Sequence, residues 1–388
     1  MRSQVYLDNA ATTPATPAVC DAVLGALSDV YGNPSSLHTM GLAAERLVRD
    51  SRRTLASYLG VPERGVVFTG GGTESINQAI LGVARAYRRR GQHVVTSAVE
   101  HAAVLSTCDR LERAGWRVTR VGVDELGRVS PSEVAGAVGE DTVLVSIMSV
   151  NNEVGTIQPI GEIVSAVRAQ NAQCIIHSDA VQALGKIEVT PLSLGVDLMS
   201  FSAHKIHGPK GCGALWAGER VHLEPLMFGG GQEKGLRPGT ENVPGIAGFG
   251  AAVKEFAQNG QEIQDRMFDL RNKLIEGVLK AVPEAVLNGP REVNVAPHIC
   301  SLSFPGHEAE VLARALAQEG LFVSTGAACS SRRSTRTGSH VLTAMGVPET
   351  IRSASLRFSL SSMTDDSDIE GAILKLTTVL AQLRPSTR

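Results

Sequence analysis

The sequence predicts an α/β protein: a large domain on a mostly parallel seven-stranded sheet, plus a smaller α+β C-terminal domain. Three observations predict it. Short apolar runs recur at 66–69, 93–97, 117–121, 142–148, 174–178, 197–202 and 213–217. Amphipathic helical patterns fill most of the intervals, at 73–88, 101–114, 131–138 and 159–170. Such alternation belongs to parallel sheets covered by helices on both faces. Beyond residue 245 it stops: a helical stretch at 246–281 leads to strands near 285–288, 299–304, 321–323 and 355–360 and a last helix at 365–384. A chain of 388 residues has room for two such units. Residues 15–255 are expected to form the large domain, and 1–14 with 256–388 the small one.

The first element is a short strand that breaks at Asp8-Asn9-Ala10-Ala11-Thr12-Thr13-Pro14, a polar turn. A helix from Pro17 to Val30 follows and ends at Gly32-Asn33-Pro34-Ser35-Ser36, a run of turn formers. Leu42, Ala43, Leu47, Val48, Leu55 and Leu59 then mark an amphipathic helix over 40–59. The chain carries 43% hydrophobic and 20% charged residues and a net charge of −2, which gives it no global attraction to nucleic acid. The cysteines, Cys20, Cys108, Cys174, Cys212, Cys300 and Cys329, are scattered without a CxxC pair. That pattern argues against a zinc site or a disulfide scaffold, so no metal is expected, and it fits a reducing compartment. The N-terminus lacks an apolar leader, and there is no run of about 18 apolar residues, so a cytoplasmic protein without a membrane span is expected.

Chemistry gathers where strands end, the edge at which α/β folds bind ligands. Gly70-Gly71-Gly72-Thr73-Glu74-Ser75 follows a strand and opens a helix, so its amides and the helix dipole suit an anion. Alone, such a turn is equally at home as structure, and no Walker Gly-Lys-Ser/Thr follows it. Glu100-His101 follows the next strand; a histidine there can stack on a planar ligand or move protons. Asn151-Asn152 follows a third. Asp179 ends Ile175-Ile176-His177-Ser178, with Gln182 one helical turn on; its bland reading is a helix N-cap. Ser202-Ala203-His204-Lys205-Ile206-His207-Gly208-Pro209 ends a fifth. A lysine held beside hydroxyl and imidazole groups suits a Schiff base with pyridoxal 5'-phosphate (PLP), and a carboxylate at Asp179 suits its pyridine nitrogen. The bland reading of Lys205 is a surface lysine on a turn; the five strand ends together favour the cofactor.

These stretches, with Tyr6-Leu7-Asp8-Asn9-Ala10-Ala11-Thr12-Thr13, Gly32-Asn33-Pro34-Ser35-Ser36, Asn151-Asn152-Glu153-Val154-Gly155, Arg237-Pro238-Gly239-Thr240-Glu241-Asn242 and Leu356-Arg357-Phe358-Ser359-Leu360, resemble the PLP-dependent cysteine desulfurases (NifS/IscS-like) nearly end to end. The resemblance implies the PLP fold-type I, aspartate aminotransferase-like architecture and a homodimer. It implies that Gly72, Thr73, Ser202 and His204 hold the phosphate, and that Thr240 reaches the phosphate in the neighbouring subunit. His101 would stack on the ring, Asp179 would meet its nitrogen, and Gln182 and Asn152 would lie by its oxygen. Lys205 would carry the cofactor and move the substrate's proton, and His101 would serve the substrate thiol. Arg357, with Asn33 and Asn152, would bind the substrate, the guanidinium gripping its α-carboxylate.

Ser324-Thr325-Gly326-Ala327-Ala328-Cys329-Ser330-Ser331 is a loop of small residues. Its neighbours predict an accessible thiol, and Arg332, Arg333, Arg336 and His340 favour the thiolate. The resemblance makes Cys329 the nucleophile that takes sulfur from L-cysteine, releasing alanine, for transfer to an iron–sulfur scaffold or thiolation enzyme. The long span between Cys329 and Arg357 matches the long-loop branch. The three arginines depart from the pattern; a solvated basic loop is the plainer reading, a dock for an acidic acceptor the sharper one. Three alternatives stay open here: a selenocysteine lyase, an ordinary aminotransferase, and a sulfur-transfer scaffold without chemistry. A nucleotide site at Gly70–Gly72 is weaker, because no ribose-binding acid follows at a suitable distance.

Overall fold

The computed structural model describes residues 4–325 and 338–383. Seven strands form one sheet in the spatial order Val66–Thr69, Gly213–Ala217, Leu198–Ser202, Ile175–Asp179, Thr142–Ser146, His93–Ser97 and Arg117–Val121. Gly213–Ala217 runs antiparallel to both neighbours; every other adjacent pair is parallel. The five strands that carry the site are buried along their length, which explains why they read as continuous apolar runs rather than as alternating ones. Helices Gly72–Ala86 and Ala102–Glu112 pack Ile76, Ile80, Val83, Val104 and Leu111 against one face of the sheet. On the other face, Phe201, Met199 and Ile176 meet Ile163, Val167, Phe249 and Val253.

Local chemistry sets the helix ends. Thr16 caps Pro17–Ser28 with proline in the first turn, and the Asn242 side chain accepts from Gly245 N at the start of Val243–Ala281. That long helix starts three residues earlier than its apolar pattern predicts and is kinked at Asn259, where φ is −131°. Its first part packs on the large sheet through Phe249 and Val253, and its second part joins a separate apolar cluster through Leu270, Leu274 and Val278.

The second cluster covers a four-stranded sheet of Ser324–Thr325, Ser355–Ser359, Ile299–Ser303 and Val286–Asn288. The predicted strand at 321–323 is Leu321–Phe322, which pairs in parallel with Val5–Tyr6 outside this sheet, while Ser324–Thr325, expected to open a loop, is the strand that pairs with Ser355–Ser359. Val5 and Leu7 therefore sit in the C-terminal apolar cluster. Residues 8–13 then cross from that cluster to the ends of the large sheet's strands, and the site lies along this crossing. Among the described residues no helix is long and apolar enough to span a membrane.

Candidate active site

Strand ends supply most of the site. Thr69 ends one strand, and Gly71 (φ 147°) turns the chain into the helix that opens at Gly72. A side chain at Gly72 would place its Cβ 2.7 Å from Val181 Cγ2, so the helix can approach Val181 this closely only with glycine there. The first-turn amides of that helix have no acceptor within it. They face a cavity of about 600 Å3, lined by Gly70, Gly71, Gly72, Thr73, Ser202, His204 and Lys210 among others. Gly72, Thr73, Ser202 and His204 thus line one cavity, and the exposed Lys210, a cation without a motif signal of its own, lines it with them. The helix N-terminus and the lysine make this end of the site favourable to an anion.

Residues 8–13 tie the remaining groups together. Lys205 Nζ donates to the carbonyls of Ala10 (2.6 Å) and Ala11 (2.8 Å). Gln182 Nε2 donates to the same Ala10 carbonyl at 3.0 Å. His204 Nδ1 lies 3.2 Å from Thr12 Oγ1, and Thr13 N donates to His204 O. Arg357 Nη2 donates to Asp8 Oδ1 at 2.9 Å, and its Nη1 to Asn152 O at 2.8 Å. Arg357 Nε is buried with no partner among the described residues. Asp8, part of a polar turn by sequence, is therefore the ion-pair partner of the arginine expected to bind a carboxylate. Asn152 reaches that arginine by its backbone carbonyl.

Asp179 is 4% exposed and receives one backbone hydrogen bond, from Val181 N to Oδ1 at 2.9 Å. Burial pushes its carboxyl up to about 6, with the Val181 bond and Lys205 acting the other way. The bond makes an Asx turn; no helix follows, so Gln182 lies in a run of turns rather than one helical turn on. His101 caps the helix Ala102–Glu112 by accepting from Ala103 N at Nδ1 (3.1 Å). Burial, then the charges of Lys205 and His340, hold it down near 4. Its ring is therefore neutral, and because Nδ1 is an acceptor, the proton sits on Nε2. Behind it, Glu100 accepts from Ser97 Oγ (2.6 Å) and Met148 N (3.0 Å), and burial raises its carboxyl to about 8.

Several other residues lie outside that cavity. His207, the second histidine of the lysine motif, is structural: it is fully buried, with Nδ1 2.8 Å from Pro14 O and Nε2 3.0 Å from Ser362 Oγ. Thr240 is exposed and does not line its own chain's cavity. Asn33 is exposed in an Asx turn, its Oδ1 accepting from Ser35 N, and does not line that cavity either. Cys108, Cys174, Cys212 and Cys300 are buried, with thiols pushed up to about 12 by burial. Cys329, Arg332, Arg333 and Arg336 lie outside the described residues. The chain on either side is at the site. Ser324 stands opposite Arg357 in the small sheet. Ser339 Oγ donates to the buried Glu153, and His340 Nε2 donates to Glu100 O at 3.0 Å.

The chain matches the Aminotransferase class-V family over residues 5–371. It is 43% identical to a protein named cysteine desulfurase IscS from Methanosarcina thermophila, over 98% of this chain and 93% of that one. Among solved structures it is similar to a NifS-like protein, with TM-score 0.92 and 38% identity over 98% of this chain and 100% of the other. It is also similar to SspA in complex with cysteine, with TM-score 0.80 and 33% identity over 93% of this chain and 100% of that one. The chain therefore belongs to the class-V aminotransferases, a PLP-dependent family, in their cysteine desulfurase branch of the NifS/IscS kind.

Proposed function

We propose that the protein takes the sulfur of L-cysteine, releases L-alanine and holds the sulfur as a persulfide on Cys329 for delivery to an acceptor, an iron–sulfur scaffold or a thiolation enzyme. The observation that carries this reading is the convergence of an amine, an amide and a guanidinium on residues 8–11: Lys205 and Gln182 share the Ala10 carbonyl and Arg357 pairs with Asp8, while Asp179 lies near enough for Lys205 to lower its pKa. The relative solved with cysteine supports the substrate.

The residues present fit PLP. Asp179 is a buried carboxyl raised by desolvation, which a cationic pyridine nitrogen would bring back to the ionised form. The anionic end fits the amides of Gly72 and Thr73, with Ser202, His204 and Lys210 around them. Lys205 Nζ is the amine for the aldehyde, and Gln182 would serve the ring oxygen. When bound, PLP supplies an electron sink for the carbon that loses its proton. The chain's own groups do the rest. Lys205 Nζ, once exchanged for the substrate's amine, takes the Cα proton. With Nδ1 accepting from Ala103 N, the neutral His101 ring carries its proton on Nε2 and would serve the substrate thiol there as a hydrogen-bond donor. The Cys329 thiolate attacks the substrate sulfur, the C–S bond breaks with its electron pair left on Cβ, and proton uptake at that carbon gives alanine. Sulfur leaves as the zero-valent atom of the persulfide, so no outside oxidant is needed.

Arg357 is proposed to bind the α-carboxylate, giving up Asp8 or adding the buried Nε to do so. Arg357→Lys keeps the charge but loses the fork. The KM for L-cysteine is expected to rise about 10-fold or more with a smaller change in kcat, measured by alanine release.

A homodimer with Thr240 completing the neighbouring site belongs to the same proposal. It is supported by the exposure of Thr240 and by the apolar residues Leu24, Leu27, Tyr31, Leu37 and Phe228 left open on the single chain. The two-domain division at 15–255, against 1–14 with 256–388, and a cytoplasmic, reducing setting are also part of the reading. The latter rests on the five described cysteines all being free thiols. The test is turnover of the purified holoprotein on L-cysteine with a thiol reductant. Equal amounts of alanine and sulfide are expected without any keto acid. Turnover that demands a keto acid and yields no sulfide would make the protein an ordinary aminotransferase.

A further inference from the structure

The Gln182 amide is held at both ends. Its Nε2 donates to Ala10 O at 3.0 Å, the carbonyl that also accepts from Lys205 Nζ at 2.6 Å. Its Oε1 lies 3.2 Å from His298 Nε2. An amide that turns its NH2 to a carbonyl must turn its oxygen to the histidine, so His298 carries its proton on Nε2 and donates. His298 Nδ1 is then a bare lone pair, buried and without a partner among the described residues. A second proton on that ring is opposed by burial and by Lys186, Arg357, Arg271 and Lys205, which together hold it well below the ordinary histidine range.

The loop that carries His298 is itself fixed. Arg271, fully buried, donates Nε to Ile299 O (2.6 Å), Nη2 to Pro290 O (2.9 Å) and Nη1 to Arg291 O (2.8 Å). Leu360 N donates to His298 O at 2.8 Å. A guanidinium given to three backbone carbonyls and the Asn272 side chain, with no carboxylate partner among the described residues, pins the segment 290–299 and with it the imidazole. The line of contact runs from Arg271 through the backbone to His298, then to Gln182 and the Ala10 corner beside Lys205.

We propose that His298 is a positioning residue that locks the Gln182 amide in one of its two flips, so that an N–H, and never the oxygen, faces the cofactor's ring oxygen beside Lys205. This rests on the reading that Gln182 serves that oxygen. A fixed donor stabilises the ionised ring oxygen. It therefore lowers the pH at which the bound chromophore gains its proton and changes colour. Without the imidazole donor only the bond to Ala10 O, a carbonyl shared with Lys205 Nζ, opposes the flip, and orientations that set an oxygen against the ring oxygen become accessible.

The experiment is an absorbance titration of the holoenzyme, comparing the wild type with His298→Phe, His298→Asn, His298→Gln and Gln182→Ala. Phenylalanine has no donor, and the shorter asparagine cannot place one at the Nε2 position, whereas glutamine can. The midpoint is expected to rise by about one pH unit in His298→Phe, His298→Asn and Gln182→Ala, and to return to the wild-type value in His298→Gln. If His298→Phe fails to fold, the smaller polar asparagine variant answers the same question. A raised midpoint in Gln182→Ala with none in the phenylalanine or asparagine variant overturns the role of His298 and leaves the reading of Gln182 standing. No shift in any variant overturns both. A shift that persists in His298→Gln also overturns the proposal, because packing rather than the N–H would then be responsible.

Discussion

Lys205→Ala yields a protein that folds, binds PLP without the yellow colour of the linked cofactor, and turns over L-cysteine at least about 10^2–10^4-fold more slowly, the usual worth of a positioned proton-transfer group. The physical ground is local. Lys205 sits in a short turn after the strand Leu198–Ser202, and its Nζ is aimed by the Ala10 and Ala11 carbonyls rather than left to sample solvent. An amine held this way has lost its rotamer freedom before the cofactor arrives, which is what makes it an efficient anchor and base. Alanine keeps the backbone turn, since Ile206 N still donates to Ala203 O and Gly208 N to the same carbonyl. The thermal midpoint should therefore move little while colour and activity are lost, and absorbance with alanine release measures both. A Lys205→Ala enzyme that kept the wild-type colour and rate would remove Lys205 from the site.

Asp179→Asn is expected to act in opposite directions on catalysis and on stability. Asparagine can keep the bond from Val181 N but cannot hold a charge against a pyridine nitrogen, so kcat/KM should fall by about 10^2–10^4-fold. In the cofactor-free protein the sign reverses. Asp179 has its carboxyl raised from 3.8 to about 6, chiefly by burial. The folded state therefore binds a proton more tightly than the unfolded chain. The stability tied to that proton is fully present below pH 3.8 and is lost as pH rises through about 6. Above that range the buried carboxylate costs on the order of 3 kcal/mol by linkage. Cofactor-free Asp179→Asn should then melt several degrees higher than the wild type at pH 7.5, with the difference vanishing near pH 4. Loading with PLP should erase the gain at pH 7.5 by giving the wild-type carboxylate its partner. Thermal melts at the two pH values, with and without PLP, check each part.

Much of the fold was legible because its signals are local. Strands buried on both faces read as unbroken apolar runs, so Val66–Thr69, His93–Ser97 and Gly213–Ala217 were delimited to the residue. Ends set by tertiary pairing were not: Ser324–Thr325 reads as the start of a loop of small residues yet pairs with Ser355–Ser359, while Leu321–Phe322 joins Val5–Tyr6 in a different sheet. The cavity residues Gly72, Thr73, Ser202 and His204 were recognisable because each stands at a strand end in a stretch of unusual composition. Asp8, His298 and Lys210 were not, for they matter only through what they touch. Asp8 meets Arg357 across 349 residues, and His298 meets Gln182 across 116. A histidine after Ala-Pro or an aspartate in a turn gives no periodic signal, and no pattern in one chain announces a contact of that span. His207 stands in the same motif as Lys205 but is a brace, buried against Pro14 and Ser362.

The persulfide is where the account is most exposed. After one turnover on L-cysteine in the absence of reductant, digestion and mass spectrometry of the wild-type holoprotein should find one added sulfur atom on the peptide containing Cys329, matched by one alanine released per active site. Cys329→Ala should bind L-cysteine and keep its colour, yet carry no added sulfur and release no alanine above background. Alanine release at the wild-type rate from Cys329→Ala, or the added sulfur on another cysteine, would contradict the account.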